Sequence, residues 1–287
     1  MTHSHLAALA LALLAFPIPA RAGIVFGPVR GKPGESVRLV THSETKGATI
    51  EKTVFGKTSR GTIEVIRDRE LIWTFREPSA DGTRRGMVRV PKLSTSSKTV
   101  IEGKPASLND PSPLTGKMFS MTKAPKGDWT FELDGSVPLN KVRAEIEEMK
   151  IYLKRDWYPA REIKLGDSWE FDPAWVKAII ERDLEKAKTI GTMSLRQIRS
   201  SAEQQMAVID VAIHSTGADL RSDGSETSAT IELTGQVTVN LGTMLDESLT
   251  LKGTIITGTD KGTESTKMTL PITLKATKSF VRDTALP

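Results

Sequence analysis

The chain contains no cysteine. That excludes disulfides, a thiol nucleophile, acylation at a lipoprotein cysteine and structural zinc sites of the Cys-bearing kind. Such a fold must rest on its hydrophobic core, which 287 residues can supply. Histidine is nearly as scarce: past residue 22 there are only His42 and His214. Aromatics make up 5% of the chain, too few for an obvious base-stacking platform. No five basic residues run together, and the formal charge of +5 is spread among carboxylates. Scattered charge of this kind reads as a solvated surface, not a nucleic-acid footprint, which needs clustering on one face. After the N-terminal stretch nothing is apolar enough to cross a bilayer as a helix, which takes ~20 residues. Phosphate loops, dinucleotide fingerprints and EF-hand calcium loops are absent from the sequence, so the residues imply no cofactor and no metal.

What is there begins with a leader. Residues 6 to 16 are wholly apolar, Pro17 and Pro19 break the run, and Ala20-Arg21-Ala22 follows. This is the layout of a secretory signal peptide cleaved after Ala22. The segment before it has no Lys or Arg, so His3, His5 and the amine carry its positive charge. The expectation is a periplasmic or secreted protein with no transmembrane anchor after cleavage.

The C-terminal third alternates cleanly. Ala229, Ile231, Leu233, Gly235, Val237, Val239 and Leu241 share one parity, with Thr, Glu, Gln and Asn between them. Period two over that length is a half-buried strand or a bent pair, with Gly235 as the expected bend. Leu249 to Ile255, Met268 to Ala276 and Ala207 to Ile213 repeat the pattern. Pro271 lacks an N–H, which predicts an edge or a bulge there. One wet face per strand argues for antiparallel pairing. Earlier, Val37–Val40, Thr62–Ile66, Leu71–Phe75, Met87–Val90 and Trp129–Leu133 read as strands, and 103–116 as a Pro-rich loop.

Two helices are expected between the strands. Leu139, Val142, Ile146, Met149 and Leu153 recur at helical spacing. Asp172-Pro173 is a capping pair before Trp175, Val176, Ile179, Ile180 and Leu184. The sequence therefore predicts an α+β fold: a curved, half-barrel-like antiparallel sheet with two mid-chain helices covering one face. Its parts are a signal peptide (1–22), a strand-rich part (23–102), the loop (103–116) and a helix-plus-sheet part (117–287), in one domain with 23–102.

Chemistry is sparse. Gly166-Asp167-Ser168-Trp169-Glu170 matches three positions of a nucleophile elbow, but Glu170 stands where the closing Gly belongs, and the strands read as antiparallel. No catalytic set is expected. Lys164-Leu165-Gly166-Asp167-Ser168-Trp169, after Trp157-Tyr158-Pro159, resembles the Gly-Asp-Ser-Trp turn of exported bacterial families. In them a hairpin and several amphipathic strands follow, as at 192–214 and 229–280. The resemblance covers the last half to two-thirds of the mature chain and implies an architecture similar to periplasmic lipoprotein carriers and lipid-binding half-barrels. It implies no activity, since fold alone does not fix function.

The expected function is a non-enzymatic envelope protein that binds a lipid or other hydrophobic ligand between sheet and helices. The candidate lining is Trp129, Phe131, Trp157, Trp169 and Trp175. Ordinary core filling is the favoured alternative for these same residues, because aromatics dominate cores. A structural or assembly factor that engages an envelope protein through a sheet edge near Pro271 is the second reading, and a hydrolase built on Ser168 the third.

Overall fold

The computed structural model describes residues 23–32, 35–133, 140–153, 157–174, 176–177, 184, 187–200, 204–220 and 223–282. The expected signal peptide, residues 1–22, lies outside these residues. The chain runs through β1 (Ser36–Val54), β2 (Lys57–Phe75), β3 (Arg84–Ile101), β4 (Lys104–Pro111), β5 (Met118–Lys123) and β6 (Trp129–Leu133). The helix α1 (Asn140–Leu153) and β7 (Ser168–Phe171) come next. They are followed by β8 (Lys188–Ser200), β9 (Gln205–Leu220), β10 (Glu226–Asn240), β11 (Leu245–Asp260) and β12 (Glu264–Val281).

All twelve strands belong to one antiparallel sheet, ordered β6-β5-β3-β2-β1-β12-β11-β10-β9-β8-β7, with β4 on the free half of β3. The α+β expectation is corrected: 69% of the chain is strand, and the architecture is all-β. Two mid-chain helices are not found. Only the first stands among the described residues as a helix, α1, with Val142 and Met149 buried on the sheet. Of the second, residues 174 and 176–177 are helical, while 175 and 178–183 lie outside the described residues.

Three local expectations also change. Residues 104–111, read as loop, form β4, closed by a Glu102-Gly103 turn with φ of 49° and 75°. In such a two-residue hairpin the closing pair is hydrogen-bonded, so alternate residues beyond it point away from β3. Pro105 and Pro111 fall on the outward positions, where no ladder bond needs their N–H. Gly235 marks neither a bulge nor a break between two strands: β10 keeps its register through it, and the shift against β11 comes at Thr238/Val239. Of the edge or bulge expected at Pro271, the edge is absent, because β12 is central, between β1 and β11, and the irregularity is present. The missing N–H of Pro271 faces the register break between Thr45 and Thr49 of β1. A bulge opposite is how an inner strand tolerates proline.

The registers put every apolar row on the same side of the sheet. Directly paired residues share a face, and the pairs can be followed strand to strand. Leu108, Ser97, Val65, Thr45, Ile272, Gly253, Leu233, Ile213, Gly191 and Phe171 form one continuous row from β4 to β7. The opposite face carries mainly Thr, Ser and charged residues, with isolated apolar side chains such as Val40, Ile66, Ile72 and Ile256 among them.

Two hydrophobic cores form on the apolar face. Core 1 lies over β7–β11 and takes in Ile24, Phe26, Ile163, Val176 and Leu184 from the covering segments. Core 2 lies over β1, β2, β3, β5 and β6, beneath Val142 and Met149 of α1. Apolar burial of this kind stabilises by roughly 25 cal/mol per Å².

Candidate functional site

Between the two cores the apolar face continues without belonging to either. Val65 and Ile63 of β2, Ile50 of β1, and Leu270 and Met268 of β12 are half-buried and packed into neither cluster. Ile63 is in register with Ala48, and Ile50 with Met268, so these side chains form adjacent rows. Leu108 of β4 extends the strip to the sheet edge, where it is 63% exposed. From β4 to β12 the strip crosses four strand spacings, about 19 Å at ~4.8 Å each, with Ser97 of β3 between Leu108 and Val65.

A polar group closes the strip on the side of core 2. Arg67 and Arg69 occupy β2 positions of the apolar parity, next in line after Val65. Glu148 of α1 reaches both: Arg67 Nη2 donates to Glu148 Oε2 at 2.9 Å, and Arg69 Nη2 lies 2.8 Å from Glu148 Oε1. Arg69 is almost fully buried, while 36% of the Arg67 side chain is exposed. Burial by itself would raise the Glu148 carboxyl. The adjacent charges of Arg69 and Arg67 outweigh it and hold the group below its ordinary value. Ser112 donates its hydroxyl to Glu145 one turn earlier, so two carboxylates pin α1 to the sheet.

Four of the five expected lining residues divide between the cores. Trp129 is buried in core 2 and Phe131 packs against it, with Phe75 and Phe119 as ring neighbours at 6.1 and 6.5 Å. Trp169 is buried in core 1, its Nε1 donating to the Trp157 carbonyl at 2.8 Å. Trp157 packs there too, 5.5 Å from Phe171. Trp175 lies outside the described residues. Because β6 and β7 are the two ends of the main strand order, these aromatics flank separate cores and do not converge on the strip.

The Gly-Asp-Ser-Trp segment is a docking turn. Gly166 takes φ of 89°. Its N–H donates to the Leu195 carbonyl, and Leu195 donates back to Asp167 O. Asp167 Oδ2 accepts from the Lys164 backbone N–H at 3.0 Å, which holds the carboxyl below its ordinary range. The turn delivers Trp169 into core 1 and leaves Ser168 on the polar face. There it edges a shallow depression of about 440 Å³ with Thr192, Ser194, Asp210, Thr234 and Gln236. His214 is four residues along β9 from Asp210, about 13 Å at ~3.3 Å per residue, and its ring contacts Glu232. Ser168 and His214 are therefore not brought together, and Asp210 is bonded by Gln236 at 2.9 Å.

The residues missed at the sequence level are Arg67, Arg69, Glu148 and the strip itself. A signal existed: two arginines sit on the apolar parity of a strand, where a cation needs a buried partner.

No protein-family model matches the chain, and no curated protein matches it. Among solved structures, Pseudomonas aeruginosa OccK7 (OpdD) aligns with 86% of this chain and 100% of its own, at 6% identity and a TM-score of 0.29. The botulinum neurotoxin serotype C1 binding domain aligns over 83% and 78% of the two chains, at 9% identity and 0.15. The botulinum neurotoxin DC binding domain, solved with rat synaptotagmin II, aligns over 84% and 78%, at 7% identity and 0.15. Likenesses this low assign neither a fold family nor a function.

Proposed function

We propose that this is an exported envelope protein that holds a hydrophobic ligand on the apolar strip of its sheet, and that it is not an enzyme. The observation that carries the reading is the strip. Ile50, Ile63, Val65, Met268 and Leu270 stand half-buried in adjacent rows between two cores that are each covered. Apolar surface with a few polar groups at its margin is the usual composition of a ligand site, and Arg67 with Glu148 supplies that margin. The leader-like sequence of residues 6–22 supports placement outside the cytoplasm.

The test starts with protein purified without detergent, extracted with organic solvent and examined by mass spectrometry, followed by titration with a fluorescent fatty acid. We expect a stoichiometric apolar molecule or saturable uptake. Ile63→Lys or Leu270→Lys should weaken uptake at least tenfold, about 1.4 kcal/mol. Absence of both a co-purified lipid and any uptake overturns the proposal.

A further inference from the structure

We infer that the hairpin tip at Phe55 is a docking point for an anionic lipid bilayer. Phe55 and Gly56 form the two-residue turn between β1 and β2, closed by the Val54–Lys57 pair, with φ of 46° and 77°. A turn of this kind needs the left-handed region at both positions, and Asn, Asp or Gly is the ordinary choice at the first. A bulky residue there is an outlier. Local backbone preference therefore selects against phenylalanine.

Packing does not select it either. Phe55 is 78% exposed, more than any other large apolar residue among those described. The turn is nevertheless held in place, since the Phe55 N–H donates to the Thr263 carbonyl of the β11–β12 connection at 2.8 Å. The comparable turn at Glu102-Gly103 shows the contrast. Glu102 also takes a positive φ, but its carboxylate accepts a hydrogen bond from Ser59. Phe55 spends backbone energy on a side chain aimed into water, so what selects it lies outside the molecule.

The surroundings point to the kind of partner. Lys52, Lys57 and Arg60 of this hairpin are all exposed, and Lys261 stands in the neighbouring turn, while Glu264 is in register with Val54 and Glu102 is held by Ser59, which leaves cations in excess at the tip. Arg60 is tied to Glu51 at 2.8 Å, which leaves the two lysines that flank the turn. A protein hot spot sits inside a packed apolar patch, but the sequence neighbours of Phe55 are Lys, Thr, Val and Gly. A projecting aromatic ring with lysines beside it suits a bilayer interface, where ring and charge meet acyl chains and anionic headgroups together. This inference does not depend on the apolar strip.

The experiment is co-sedimentation with vesicles of equal phosphatidylcholine and phosphatidylglycerol, and of phosphatidylcholine alone, alongside thermal denaturation. The unaltered protein should bind the mixed vesicles, more weakly as salt rises, and the neutral vesicles poorly. Phe55→Asn should lower partitioning about tenfold or more while leaving the thermal midpoint equal or higher, because Asn-Gly is the favoured pair for this turn. Phe55→Trp should retain binding. Lys52→Glu with Lys57→Glu should remove the preference for anionic vesicles. The inference is overturned if Phe55→Asn binds as the unaltered protein does, or if it lowers the midpoint and so reveals a structural role. It is also overturned if the unaltered protein ignores anionic vesicles, or if a protein partner requires Phe55 while vesicles do not.

Discussion

Replacing Glu148 by Gln removes the one carboxylate shown to reach both Arg67 and Arg69, while keeping its shape. Removing one partner of a buried ion pair costs about 3–5 kcal/mol, because the remaining charge stays desolvated. Here the Glu148 side chain is 22% exposed and that of Arg67 is 36% exposed, so water offsets part of the loss, whereas Arg69 at 4% has no such relief. We expect about 2–3 kcal/mol at neutral pH, and roughly 2–4 °C per kcal/mol in a chain of this size, or about 4–12 °C in all. Glu147→Gln is the control one residue away. Glu147 is 59% exposed and paired only with Lys150, so its loss should cost under about 0.5 kcal/mol. The pH dependence is the sharper test. The folded carboxyl titrates below the unfolded value of about 4.3. Its contribution is therefore complete above about pH 5 and is lost as pH falls through the depressed folded value. In urea denaturation from pH 7 to pH 3, the gap between the unaltered protein and Glu148→Gln should be constant at first and then close. A gap below about 0.5 kcal/mol at pH 7, or one that does not narrow in acid, refutes the reasoning.

The other expectations concern packing. Gly235→Ala places a Cβ 1.8 Å from the Thr250 carbonyl oxygen, an overlap that only backbone movement can relieve. A loss of about 3 kcal/mol in urea denaturation is expected, at the upper end of overpacking, and a loss under about 1 kcal/mol contradicts the register of β10 on β11. Leu71→Ala in core 2 and Leu195→Ala in core 1 remove fully buried side chains and should each cost about 2–5 kcal/mol. Their combination should be additive within about 0.5 kcal/mol; strong coupling in the double-mutant cycle would mean the two cores act as one.

The long C-terminal strands were legible because period two persists over thirteen residues at 229–241 and over seven to nine at 207–213 and 268–276. The N-terminal strands were seen only as fragments, although β1 and β2 have 19 residues each. The cause is local. The irregularity at Lys46-Gly47 puts Thr45 and Ala48 on one face at a spacing of three, which erases the alternation. Arg67 and Arg69 then interrupt the apolar parity of β2, and nothing in the linear sequence announces that Glu148, some eighty residues later, neutralises them. The Pro-rich segment hid β4, since the argument against strand from proline fails where both prolines sit on the outward positions of an edge. Large aromatics are drawn into cores, as Trp129 and Trp169 are, while the half-buried apolar surface between the cores is made of isoleucine, valine, leucine and methionine.

The way the sheet handles its boundaries bears on which kind of partner it can take. Strand addition needs a long edge with free N–H groups. Here β6 and β7, the ends of the main order, are five and four residues long, and β4 presents prolines at two of its four outward positions. The edge that had been expected near Pro271 does not exist, because β12 is flanked on both sides. Unsatisfied surface is thus concentrated on the face, where it is apolar and needs cover but no hydrogen bonds. A ligand matched to such a surface is a hydrocarbon, not a peptide strand, and that asymmetry ranks lipid binding above assembly by strand exchange.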